Sequence, residues 1–174
     1  MQDSQRRLAL QLGTVAAAAL VVAAVFLPWE RQQFLDGTSL SIQGVQWSGS
    51  YTPFGLFGVS DGAGVSWLAA AAAACALAGV PSRARLWPAL SLAFGLVGSA
   101  AMSFEWLSIA SAAVCCEMTG RTPGVGVLIG ALAFFAVLGC SATALVVRAD
   151  SRDELVGALS PPHLHRRISA DNGN

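Results

Sequence analysis

Residues Leu8 to Pro28 read LALQLGTVAAAALVVAAVFLP, and the reading of this stretch decides the fold. Gln11 is its only strongly polar member. As a helix it is about 31 Å long at ~1.5 Å per residue, the thickness of the hydrocarbon core of a bilayer. In lipid every backbone N–H and C=O must find its partner within the segment, so a helix is the form such a run takes. Three more runs of the same kind follow. They are residues 65–80 (VSWLAAAAAACALAGV), residues 87–107 and residues 125–147. The second is short and can begin a turn earlier, near Gly62. None alternates apolar with polar residues as a membrane β-strand does. The expected fold is therefore all-α: a four-helix transmembrane bundle over residues 1–148, its first helix spanning about 8–28.

The composition agrees. Of 174 residues, 55% are hydrophobic and only 11% charged, against roughly 25% charged in a soluble chain. The formal net charge is zero, which leaves no basic face for nucleic acid. Trp29, Trp67, Trp87 and Trp106 fall at the ends of the runs, where an amphipathic ring prefers the headgroup level. Trp87 and Trp106 are 19 residues apart, or about 28 Å along a helix. That spacing sets the frame of the third helix. A frame centred ten residues later would place Glu105 at the midplane, at a cost of roughly 2.5–3.5 kcal/mol.

Arginine placement orients the bundle. All ten basic residues are Arg, and eight of them (Arg6, Arg7, Arg83, Arg85, Arg148, Arg152, Arg166 and Arg167) fall on one side. The other side holds Arg31 and Arg121 among five acids. The positive-inside rule then places both termini in the cytoplasm, and the expected location is the plasma membrane. The first run is longer than a signal-peptide core, and no small-x-small cleavage site precedes Pro28-Trp29, so it reads as an uncleaved anchor.

The outer loop, residues 29–63, carries Asp36-Gly37 between two short runs, which predicts a tight hairpin with positive φ at both positions. After Gly44, Val45 and Trp47 alternate with Gln46 and Ser48, extending the expectation to a three-strand flap. Trp47, Tyr51, Phe54 and Phe57 make this loop a candidate surface for lipid or a partner. Glu105 joins them, as a carboxylate at the outer edge of its helix that either pairs with a partner or simply marks topology. Cys115-Cys116 in the second outer loop is a candidate redox pair. On the cytoplasmic side, residues 149–174 form a tail. There Ser151-Arg152-Asp153-Glu154 is a capping box for a separate short helix, stopped by Pro161-Pro162 and followed by a disordered end.

Chemistry-bearing motifs are missing from this sequence. The helical runs contain no His and no ionisable group but Glu105, and the chain has no C-x-x-C, H-E-x-x-H or G-x-S-x-G motif. No enzyme activity, cofactor or metal is expected. The helices do carry small residues at four-residue spacing: Ser91, Gly95 and Ser99 in the third, Gly126 and Gly130 in the fourth. Such stripes let helices approach closely in lipid, either within this bundle or against a neighbouring subunit.

The Pro28-Trp29 exit, the outer loop with Trp47-Ser48-Gly49, the Ala-rich second helix and the Arg-bearing turn at 81–86 resemble the small four-helix membrane proteins of actinobacteria. That resemblance covers most of residues 8–148 and implies no activity. Claudins share the topology, and Gly55-Leu56-Phe57 echoes their G-L-W, but the paired cysteines of their first outer loop are missing. The leading expectation is a noncatalytic accessory or scaffold subunit of an envelope complex, with membrane lipids and other integral membrane subunits as partners. The competing expectations are a lipid- or small-molecule-binding protein using the aromatic loop, and a thiol redox sensor.

Overall fold

The structure, a computed structural model, describes residues 2–46, 60–82, 84–111 and 118–159. Four helices carry it: α1 (Gln2–Val25), α2 (Asp61–Ala78), α3 (Leu86–Ser111) and α4 (Val125–Leu159). All four are long and apolar enough to cross a membrane. They pack as a closed ring, α1 against α2 and α4, and α3 against α2 and α4. The core between them is built from Val21, Val25, Val65, Ala69, Met102, Ile109, Val127 and Phe134. Leu12, Leu20, Trp67, Leu96, Phe104, Leu132, Phe135 and Val146 point outward and are exposed. An apolar exterior of this extent suits hydrocarbon and would be unfavourable in water.

The helices differ from the expected ranges at their ends. The first begins at Gln2 and stops at Val25, because Pro28 opens a strand and cannot extend a helical hydrogen-bond ladder. The second begins at Asp61, where the Ser60 hydroxyl accepts from the N–H of Ala63 and caps the first turn. The third extends to Ser111, which places Glu105 inside the helix. The separate tail helix expected at Ser151 does not form; α4 continues without a break to Leu159. Residues 148–154 contain neither Gly nor Pro, so nothing in them ends the helix already under way.

A small antiparallel sheet sits at one end of the ring. It comprises β1 (Pro28–Phe34), β2 (Ser39–Gln43) and β3 (Met118–Pro123), in the order β2-β1-β3. The β1–β2 hairpin turns at Asp36-Gly37, but only Gly37 has positive φ (+83°). The N–H of Gly37 donates to Phe34 O at 3.1 Å, and that of Phe34 to Thr38 O at 3.0 Å. A turn followed by one left-handed glycine closes a three-residue hairpin loop, so Asp36 keeps an ordinary conformation. Its carboxylate accepts from the N–H and the hydroxyl of Thr38, at 2.8 and 2.6 Å. The third strand is supplied by the connection between α3 and α4 instead of by Val45–Ser48. Residues 44–46 form a 3-10 turn, and Trp47 and Ser48 lie outside the described residues.

Candidate functional site

The buried charges concentrate where sheet meets bundle, and a bulge in β1 explains how. Pro28 pairs with Gln43 and Glu30 with Ile42, so Trp29 is the extra residue. A bulge lets two successive side chains turn the same way. Trp29 and Glu30 are both buried, and from there the strand alternates: Arg31 out, Gln32 in, Gln33 out. The inward face of β1 is therefore polar. That inverts the usual pattern of an apolar underside.

Glu30 has no exposed surface, and its carboxylate Oε1 accepts from Gln32 Nε2 at 2.9 Å and from the guanidinium Nε of Arg121. Arg121 reaches it from β3, where it faces Gln32 across the ladder, and is 23% exposed. Glu30 Oε2 is buried without a hydrogen-bond partner. A buried carboxylate is tolerated when paired, and this pairing ties the strand after α1 to the strand before α4. Two more acids are buried on neighbouring elements. Asp61 has no exposed surface and sits in the first turn of α2, where the helix dipole favours a negative charge. Glu105 is only 2% exposed. Among the described residues, no group of three or more His, Cys, Asp or Glu is arranged to hold a metal ion.

Trp29 anchors the sheet to the helices. Its indole N–H donates to Ala24 O at 3.0 Å, and its backbone O accepts from the N–H of Gly124 at 2.6 Å. The ring lies against Gly44 and Gly126. A Cβ at Gly44 would fall 2.2 Å from Trp29 Cε2, and one at Gly126 2.6 Å from Cδ1, so neither position has room for a side chain.

At the opposite end Arg148, eleven residues before the end of α4, is buried. Its guanidinium donates to Ala84 O, to Gly79 O at 2.8 Å and to Ser82 O at 3.1 Å. It thus closes the end of α2 and the turn into α3. Between the two ends, the Ser91 hydroxyl donates to Ala72 O at 3.2 Å and accepts from Ser141 at 3.0 Å, joining α2, α3 and α4.

The small residues singled out in the sequence meet partners inside the ring. Gly95 faces Val137 and Leu138, Gly126 faces Trp29 and Ala24, and Gly130 faces Met102. The Ser99 hydroxyl donates to Leu96 O on its own helix. Glu105 faces inward, so its carboxylate is not displayed at the helix edge. Trp47, Tyr51, Phe54, Phe57, Cys115 and Cys116 lie outside the described residues. Sequence reasoning missed β3, the Glu30–Arg121 pair and the clasp made by Arg148. The one available signal was the run of polar residues Glu30-Arg31-Gln32-Gln33 directly after a long apolar run.

No family model matches this chain, and no curated protein is similar to it.

Proposed function

We propose that this protein is a noncatalytic accessory or scaffold subunit of a larger cell-envelope membrane complex, of the respiratory or lipid-transport kind. It resides in the plasma membrane with both termini cytoplasmic. The observation that carries this reading is the attachment of the sheet to the bundle through Trp29 and the Glu30–Arg121 pair. A head held this way is a fixed surface. It also displays apolar side chains, since Leu35, Leu40 and Val45 are all exposed. Inside the bundle, Thr14, Ser91, Ser141 and Arg148 direct their donors to their own chain. Polar groups engaged in this way hold a scaffold together, and they do not line a path for a substrate or ion.

The test is extraction in a mild detergent followed by native mass measurement. The expected particle is heavier than the 17.9 kDa chain and contains other integral membrane polypeptides. Leu40→Asp is expected to release them while the chain keeps its helical circular dichroism. A strictly monomeric particle would overturn the reading. The orientation is checked separately: a reporter fused after Asn174 is expected to be active only in the cytoplasm.

A further inference from the structure

Close to the sheet end, a groove of about 350 Å³ runs between α3 and α4. It is lined by Met102, Ser103, Trp106, Leu107, Leu128 and Ala131, and Ser103 is the only polar residue among them. From Met102 to Leu107 the α3 wall rises about 8 Å along the helix axis. Met102 is fully buried and reaches across to α4 at Gly130, where a Cβ would fall 2.5 Å from its methyl group. Both walls belong to helices long and apolar enough to cross a membrane.

We infer that this groove binds one acyl chain of a phospholipid from the leaflet on the sheet side. The inference rests on the bundle lying in a membrane, as proposed above. Two features select a lipid chain over a partner helix. Helices associate in lipid through small residues that let their backbones approach. Here the glycines at the α3–α4 contact are already filled from within the bundle: Gly95 by Leu138, Gly98 by Phe134 and Gly130 by Met102. The rim of the groove is made instead of Trp106, Leu107 and Leu128, large side chains that stand exposed and keep a second backbone away. A flexible chain threads between such residues. Trp106 is exposed five residues before the sheet-side end of α3, where its indole can lie along the upper part of an acyl chain. Free lipid also offers hydrocarbon, so the gain on binding is shape-matched dispersion contact alone, and about a tenfold preference is the expected scale.

The experiment uses the full chain extracted from phosphatidylglycerol and phosphatidylethanolamine membranes into a mild detergent. Native mass spectrometry is expected to show one retained phospholipid. Ser103→Trp and Ala131→Trp fill the groove from its two walls and should each lower the retained fraction about tenfold. Ala93→Trp, at an exposed position on α3 outside the groove, should leave it unchanged. A diazirine placed in the acyl chain is expected to label peptides containing residues 102–107 and 128–131 in the unaltered protein, a readout that does not depend on any variant folding. Equal lipid retention in groove and control variants, with labelling spread over all helices, would overturn the inference. So would a stoichiometric membrane polypeptide that both groove variants release while lipid retention holds. Release of the chain from membranes by alkaline carbonate would instead refute the membrane reading on which the groove depends.

Discussion

Glu30 and Arg121 stand 91 positions apart and form an ion pair beneath the sheet, with the carboxylate wholly buried. Breaking a buried pair from one side leaves a charge without compensation, which costs about 3–5 kcal/mol when both partners are enclosed. Arg121 keeps part of its surface in contact with solvent, so Arg121→Met should fall near the lower end, about 3 kcal/mol. Replacing both partners, as Glu30→Met with Arg121→Met, should recover most of the loss, because no charge then remains to be solvated. Thermal unfolding of the four proteins in one detergent gives the double-mutant cycle. A double variant no more stable than Arg121→Met would show that the pair is not what joins these strands.

Arg148 should be as sensitive to shape as to charge. Its fork reaches the carbonyls of Gly79, Ser82 and Ala84 together. A lysine ammonium is a compact point charge and does not reproduce the planar fork. Hydrogen bonds from a charged donor contribute about 1.5–3 kcal/mol each, with strong overlap between neighbours. Arg148→Lys is therefore expected to cost about 2 kcal/mol and to raise amide exchange around residues 79–82 roughly 30-fold. Exchange at the α1–α4 contact should stay as it was. An unchanged loop would mean that the clasp contributes nothing.

The four long helices were legible because hydropathy accumulates along the chain: Leu8 to Pro28 announces a helix long and apolar enough to cross a bilayer without reference to any other segment. Strand β3 was not. MTGRTP has no alternation, contains Gly120 and Pro123, and becomes a strand only because β1 offers it a ladder. The polar underside of β1 was hidden for the same reason, since the partner of Glu30 lies on β3. Arg148 looked like a topological charge because its acceptors are backbone carbonyls, which leave no mark on a sequence. Glu105 was placed at a helix edge because the Trp87–Trp106 spacing ended the helix early, whereas α3 runs on to Ser111. Local pattern thus gave the bundle, and what ties its ends together was carried by contacts between distant residues.

The Trp29 anchor should show its dependence on missing side chains. A Cβ at Gly44 would press into the indole ring, which is wholly buried and lies against Gly126 as well. Overpacking of this kind costs typically 1–3 kcal/mol. Gly44→Ala is expected to lie in the upper half of that range, about 2–3 kcal/mol. In a Trp29→Leu background, where the ring is gone, the same substitution should cost less than about 1 kcal/mol. Melting temperatures of the four combinations measure the coupling. Additive losses would place the cause in the backbone of residue 44 and not in its contact with Trp29.

The hairpin turn should carry a pH dependence of definite sign. The hydroxyl and the N–H of Thr38 both donate to Asp36 and hold its carboxyl below the ordinary aspartate range near 3.9. A carboxylate favoured in the folded state contributes stability above its unfolded pKa. That contribution fades as pH falls through about 4 toward the lower folded value. Asp36 is fully exposed, so the effect is small and confined to the hairpin. Asp36→Asn keeps an oxygen acceptor for the turn but cannot titrate, and its hairpin should be insensitive to pH in this window. Amide exchange at Gly37 and Thr38, corrected for intrinsic rates and followed from about pH 5.5 to about pH 2.5, reads the difference directly. Protection in the parent protein should fall across the window while that of Asp36→Asn stays level. Parallel profiles would show that the Asp36–Thr38 hydrogen bonds do not hold the turn.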